Sequence, residues 1–93
     1  MSDMVKHINI LVRGKVQGVG YRFTCMEVAY RLKICGYIRN QRDGSVFIEA
    51  EGEQENLDQF AKWCTKGPIW ARVVTCEVAD GEVQGYQSFD ITS

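Results

Sequence analysis

The chain has 93 residues, enough for one core and no second, and its 45% hydrophobic and 25% charged residues exclude a disordered chain as the starting expectation. Its net charge of −1 selects no polyanionic partner, and no apolar run reaches the roughly 20 residues that span a bilayer. Met1 to Lys6 lacks the apolar centre of a signal peptide, so a soluble, cytoplasmic, single-domain protein over residues 1–93 is expected.

Lys6 to Arg13 alternates, with Ile8, Ile10 and Val12 on one face and His7, Asn9 and Arg13 on the other, which is the pattern of a half-buried strand. On that polar face His7 is expected to be solvated or locally hydrogen-bonded rather than a base. A glycine-bearing loop, Gly14 to Arg22, comes next. From Arg22 to Lys33 the residues Cys25, Val28, Ala29 and Leu32 recur at helical spacing, one apolar stripe. Gly36 to Asn40 reads as a short second strand with Ile38 inward. Asp43-Gly44 signals a hairpin, after which Val46, Ile48 and Ala50 alternate with Phe47, Glu49 and Glu51 in a third strand. Glu49, Glu51, Glu53 and Glu55 read as a solvated strand edge and helix start. A second stripe of Leu57, Phe60, Ala61 and Cys64 is stopped by Gly67-Pro68. Arg72 to Val78 is a fourth strand with Val74, Cys76 and Val78 inward. Asp80-Gly81 turns the chain, and Phe89 with Ile91 marks a short terminal strand. Trp63 and Trp70 are expected to pack rather than to serve as stacking platforms.

The order β-α-β-β-α-β with a tail strand is the ferredoxin-like split plan, an α+β fold. Two amphipathic helices then cover one face of an antiparallel sheet. Cys25, Cys35, Cys64 and Cys76 form no Cys-x-x-Cys pair, and one histidine cannot complete a zinc pattern. Reduced thiols acting as small hydrophobes are expected, and a disulfide is left open. Charge is unevenly spread. Residues 1–48 carry eight Lys and Arg against three Asp and Glu, and residues 49–93 carry three against nine. The basic half suits a small anionic ligand.

The plan has a consequence for chemistry. A 12-residue helix descends ~18 Å from the glycine loop, and five strand residues climb back ~17 Å. Asn40 therefore returns to the end of the sheet where the loop sits. In that loop Gly14, Gly18 and Gly20 permit inward-turned amides, an anion-binding nest. The helix start adds unpaired N–H groups, and Arg22 adds a planar charged fork matched to phosphate oxygens. A Walker loop is excluded because Lys15 follows the first glycine with no hydroxyl after it, and a Rossmann fingerprint is excluded by the glycine spacing. The competing readings are a plain connecting turn for the glycines and a hairpin cap for Asn40.

Gly14-Lys15-Val16-Gln17-Gly18-Val19-Gly20-Tyr21-Arg22 closely resembles the first signature of the acylphosphatase family, and Gly36-Tyr37-Ile38-Arg39-Asn40 with Asp43-Gly44-Ser45-Val46 resembles the second. Gly52-Glu53, Lys66-Gly67-Pro68 and Ala71-Arg72-Val73 look like later landmarks of the same family. The resemblance implies a ferredoxin-like enzyme that hydrolyses the carboxyl–phosphate bond of acyl phosphates with no metal and no cofactor. It implies that Gln17, Gly18, Val19, Gly20, Tyr21 and Arg22 bind the phosphoryl group and that Asn40 positions the attacking water. A small-molecule acyl phosphate and inorganic phosphate are then the ligands, and a monomer is expected. One departure is visible: Lys33 stands where the family usually has a helix-ending glycine.

Two other readings compete. A catalytically silent anion-binding or interaction module has precedent, since a similar domain heads a larger hydrogenase-maturation protein. RNA binding is disfavoured because Val46 to Glu51 lacks the basic-aromatic pattern of an RNA-binding sheet and adds acidic charge.

Overall fold

The structure is a computed structural model that describes residues 4–92; Met1 to Asp3 of the N-terminal stretch lie outside them. The elements run β1 (Val5–Lys15), α1 (Tyr21–Arg31), β2 (Cys35–Asn40), β3 (Val46–Glu53), α2 (Gln54–Cys64), β4 (Arg72–Gly81) and β5 (Phe89–Thr92). The sheet order is β4-β1-β3-β2-β5. The first four strands pair antiparallel as the plan requires. The tail strand β5 joins parallel to β2, making the five-stranded sheet mixed. Both helices pack on one face, α2 over β1 and β3 and α1 over β2 and β5.

The inward residues are the ones the alternation selects. Ile8, Ile10 and Val12 of β1, Ile38 of β2, and Val46, Ile48 and Ala50 of β3 are buried beneath Cys25, Val28 and Ala29 of α1 and Leu57, Phe60 and Cys64 of α2. Phe89 closes the β5 side, its ring centroid 5.9 Å from that of Phe60, edge-on. All four cysteines are free thiols. Burial raises the pKa of Cys25, and it pushes that of Cys76 up to about 11, with the Cys64 thiol adding to both shifts. Both thiols are neutral at ordinary pH and act as packing groups.

β4 departs from its expected form. Arg13 pairs with Thr75 and Gly14 with Val73, so Val74 is a bulge with no partner of its own. The strand's phase changes there: Cys76 and Val73 face the core, whereas Val74, expected inward, is 73% exposed. Val78 shares the inner face but is half-exposed at an edge strand beyond the main helix contacts. β4 also runs on through Asp80 and Gly81, which pair with Ile8 and His7, so the turn comes later than Asp80-Gly81. Trp63 packs, its ring 5.2 Å from that of Tyr21. Trp70 does not pack, and 76% of it is exposed.

The face away from the helices is not uniformly solvated. Glu51, expected in water, is buried. It accepts the backbone N–H groups of Gln84, Gly85 and Tyr86 and lies 2.7 Å from His7 Nδ1. His7 is buried as well, with Asn9 Oδ1 at 2.9 Å and Glu49 Oε1 at 3.2 Å from its Nε2. Burial works against the imidazolium, but the hydrogen bonds to Glu51 and Asn9 and the nearby carboxylates outweigh it, so the His7 pKa lies above its ordinary 6.5. For Glu51, burial opposes ionisation, and the donors from Gln84, His7, Tyr86 and Gly85 prevail, so its pKa lies below 4.5. The pair fastens the β4–β5 connection to the middle of the sheet.

Helix α1 ends in a reciprocal pair of hydrogen bonds, Ile34 N to Ala29 O at 2.8 Å and Lys33 N to Tyr30 O at 3.3 Å. This is a Schellman end, with Lys33 at the left-handed position, φ 57°.

Two outcomes follow. Lys33→Gly removes the side-chain clash of the left-handed conformation and should stabilise the fold by about 1 kcal/mol, read as a rise in thermal midpoint of about 4–8 °C. For the buried pair, His7 stabilises the fold below its unfolded pKa of 6.5 and loses that contribution as pH climbs through its higher folded pKa. Glu51 stabilises above 4.5 and loses its contribution as pH falls through its lower folded pKa. Urea midpoints should therefore be highest between those two values and drop on the alkaline side, and His7→Gln should flatten the alkaline limb.

Candidate active site

Three turns meet at one end of the sheet, because β1 ends where β2 ends and where β4 begins. The central one is the loop from Gly14 to Tyr21. Gly14 sits opposite the β4 bulge at φ 133°, and a Cβ there would meet the Arg72 carbonyl oxygen at 2.2 Å, so only glycine permits the approach. Val16 is buried and anchors the loop on the core. Gly20, at φ 80° and ψ 13°, starts α1 from the left-handed region with no side-chain cap, and the helix's first turn holds no acidic residue. A Ser or Asp cap would ordinarily add about 1 kcal/mol. The amide N–H groups from Gln17 to Phe23 have no acceptor among the described residues.

Arg22 stands on the first turn of α1, half-buried, with no carboxylate partner among the described residues. Val16, Gly18, Gly20, Tyr21, Arg22 and Phe23 line a hollow of about 210 Å³. Free amides, a helix start and an unpaired guanidinium thus share one small concavity. A larger concavity, about 620 Å³, lies on α1 between Met26, Glu27, Tyr30, Arg31 and Phe89. It lacks such a donor set, so size does not select the site.

The second turn joins β2 to β3. Asp43 Oδ1 accepts from Ser45 N at 3.0 Å and from Ser45 Oγ at 2.5 Å, and Asp43 Oδ2 pairs with Arg13 at 3.1 Å. Those bonds, Ser45's first, hold the Asp43 carboxyl below its ordinary value. Gln41 N donates to Ser45 O at 2.8 Å and closes the hairpin. The Asp-Gly signal locates this turn correctly, and the hairpin is capped by Asp43 and Ser45 without help from Asn40.

Gln17 joins the two turns. Its side-chain Nε2 donates to Gln41 O at 2.7 Å and to Ser45 O at 2.8 Å. Asn40, the residue before Gln41, is thereby carried to the flank of the loop. Its Oδ1 is buried and accepts no hydrogen bond. An orphan acceptor of this kind costs about 1–3 kcal/mol, and functional sites are where such costs persist.

The residues expected at the site therefore take different parts. Gly18 and Gly20 shape the hollow and offer amides. Val19 is half-buried against the core and has only its backbone to offer. Tyr21 is buried, its hydroxyl donating to Cys64 O at 2.7 Å, so its side chain serves the core. Gln17 has its side chain committed to the hairpin, leaving its amide N–H for a ligand. Arg22 lines the hollow, and Asn40 lies outside that lining. The Gln17 bridge could not be read from the sequence, since its two acceptors are backbone carbonyls brought near only by the fold.

The third turn leads from α2 into β4. Thr65 and Lys66 end the helix, with Lys66 and Gly67 both donating to Trp63 O. Gly67 lies against the Tyr21 ring. Ile69 and Trp70 project into solvent beyond it.

Comparison with known proteins gives a consistent picture. The family model described as Acylphosphatase matches residues 8–91. A curated acylphosphatase of Archaeoglobus fulgidus is 43% identical over 84 residues, which is 90% of this chain and 94% of that protein. One from Nocardioides sp. is 38% identical over 90 residues, covering 97% of this chain and 91% of that protein. The crystal structure of acylphosphatase from Bacillus subtilis matches with a TM-score of 0.92 at 32% identity, covering 97% of this chain and 100% of that one.

Gln17→Ala leaves the carbonyls of Gln41 and Ser45 without their shared donor. Unfolding in urea should show a loss of about 1–3 kcal/mol, and amide exchange at Gly44 and Ser45 should quicken.

Proposed function

The chain belongs to the acylphosphatase family, and on that premise we propose that Arg22 and the loop amides grip the phosphoryl group of an acyl phosphate while Asn40 positions the water that attacks it. As an acylphosphatase it hydrolyses an acid anhydride, releasing a carboxylate and inorganic phosphate. The observation that carries the roles is the buried Oδ1 of Asn40, an acceptor without a donor, on a strand fastened by Gln17 to the loop holding Arg22.

An acyl phosphate is an activated anhydride whose leaving group is a carboxylate. Neither a strong nucleophile nor a strong acid is needed, so positioning and charge stabilisation dominate. The amides from Gln17 to Tyr21 and the Arg22 fork meet the equatorial oxygens, where charge spreads in the transition state. The Asn40 amide, able both to accept from and to donate to a water, holds that water with a lone pair turned toward phosphorus. The water oxygen bonds to phosphorus as the bond from phosphorus to the acyl oxygen breaks, and that electron pair leaves with the carboxylate. The water's protons pass to phosphate oxygens and solvent, because a neutral amide cannot act as the base.

The same reading makes residues 1–93 one working domain, monomeric and cytoplasmic, with small-molecule acyl phosphates as ligands and neither nucleic acid nor membrane as partner. In its support, every described strand joins one sheet, and no described helix is long and apolar enough to cross a membrane.

Following benzoyl phosphate absorbance in EDTA tests the reading. Asn40→Ala should lower kcat by at least about 10²-fold, consistent with the ~3 kcal/mol lost with one transition-state donor. Its inhibition by inorganic phosphate should be unchanged and its urea midpoint no lower, since an orphan acceptor has been removed. Arg22→Ala should lose turnover and phosphate inhibition together. Robust turnover in Asn40→Ala contradicts the role given to that residue.

A further inference from the structure

Ile69 and Trp70 are 89% and 76% exposed on a turn of otherwise ordinary packing, and Phe23, 65% exposed, lines the hollow beside Arg22. Large apolar side chains held in water cost free energy that the fold does not recover here. Their position in the topology gives them a use. The loop continues β1, which lies between β4 and β3 in the sheet. On the β3–β2 side stands Asn40, drawn in by the Gln17 bridge. On the opposite side stands the α2–β4 turn, whose Gly67 meets the Tyr21 ring and which runs directly into the Arg72 and Val73 of β4 that pair with Lys15 and Gly14.

In phosphoryl transfer the attacking and leaving oxygens lie roughly in line through phosphorus. A water held from the Asn40 side therefore sends the acyl group toward the β4 side. We propose that Trp70, with Ile69 and Phe23, forms an apolar platform that receives the acyl group and favours aromatic or extended apolar acyl phosphates over short ones. This inference rests on the roles given above to Arg22 and Asn40. Trp70 and Ile69 act as specificity residues. They touch the part of the substrate that does not react, and they discriminate through its apolar area. Their exposure in the free protein keeps a flat, two-torsion aromatic face available at little entropic cost.

The test compares kcat/KM for benzoyl phosphate and acetyl phosphate in the wild type, Trp70→Ala, Ile69→Ala and Tyr30→Ala. Tyr30 is an equally exposed aromatic residue, 85% exposed, about 13 Å down α1 from Tyr21. Trp70→Ala should lose about tenfold on benzoyl phosphate and less than about twofold on acetyl phosphate, with phosphate inhibition intact. Ile69→Ala should follow with a smaller loss, and Tyr30→Ala should leave the ratio at its wild-type value. Parallel losses on both substrates, or an unchanged benzoyl rate, overturn the platform while Asn40→Ala remains inactive. Sedimentation showing a dimer that Trp70→Ala dissolves, with benzoyl turnover unchanged, overturns it too. Turnover surviving in Asn40→Ala overturns the water assignment instead, and with it the direction given to the acyl group.

Discussion

The amide of Gln17, divided between the carbonyls of Gln41 and Ser45, is the interaction on which the site depends. Each such bond contributes only about 1 kcal/mol net, yet together they set the distance between two segments more than twenty residues apart in sequence. Without them a loop that follows β1 and a hairpin that follows β2 would each settle independently. The bridge spends a side chain from within the loop itself, and the backbone donors of Gln17 and its successors have no acceptor among the described residues. On the role proposed for the loop, shape is supplied by the side chain and ligand affinity by the main chain.

That division is paid for at the start of α1. A glycine in the left-handed region gives the helix no capping oxygen, and no carboxylate stands in the first turn. Helix α2 also starts without a side-chain cap, but it carries Glu55 in its first turn. On the role proposed for the loop, a cap on α1 would occupy the amides offered to a phosphoryl group, and a carboxylate would repel that group. The unpaired Arg22 and the orphaned Oδ1 of Asn40 belong to the same pattern of incomplete bonding confined to one end of the sheet.

The other face is organised oppositely, with donors and acceptors matched. Glu51 accepts three consecutive backbone amides and His7, and it replaces a turn with a side-chain hub for the β4–β5 connection. That connection must return the chain from one edge of the sheet to the other. It has little apolar area of its own, and exposed residues dominate it from Glu82 to Ser88. A buried charge fully supplied with donors offers directional anchoring where packing cannot. Its alternation with Ala50 and Ile48 reads as solvated because period-two patterning reports only the face a residue occupies, not what later folds over that face.

Much of this molecule is written locally. The two helical stripes, the alternation in β1, β2 and β3, and the Asp43-Gly44 hairpin depend on residues within a few positions of one another, so the sequence alone is enough to place them. The glycines and Arg22 are likewise legible, because a glycine-rich turn into a helix start is a local device. Asn40 could be brought to the loop's end of the sheet by counting helix rise against strand rise. Three matters needed the folded chain. The Gln17 bridge joins a side chain to carbonyls whose proximity no spacing encodes. The Val74 bulge depends on how Gly14 meets β4, and it turned an expected core valine outward. Trp70, in the turn between α2 and β4, stands in solvent although its neighbours Gly67 and Ala71 lie against Tyr21 and the core. Patterns along the chain encode faces and ends; contacts between turns arise only when the sheet brings those ends together.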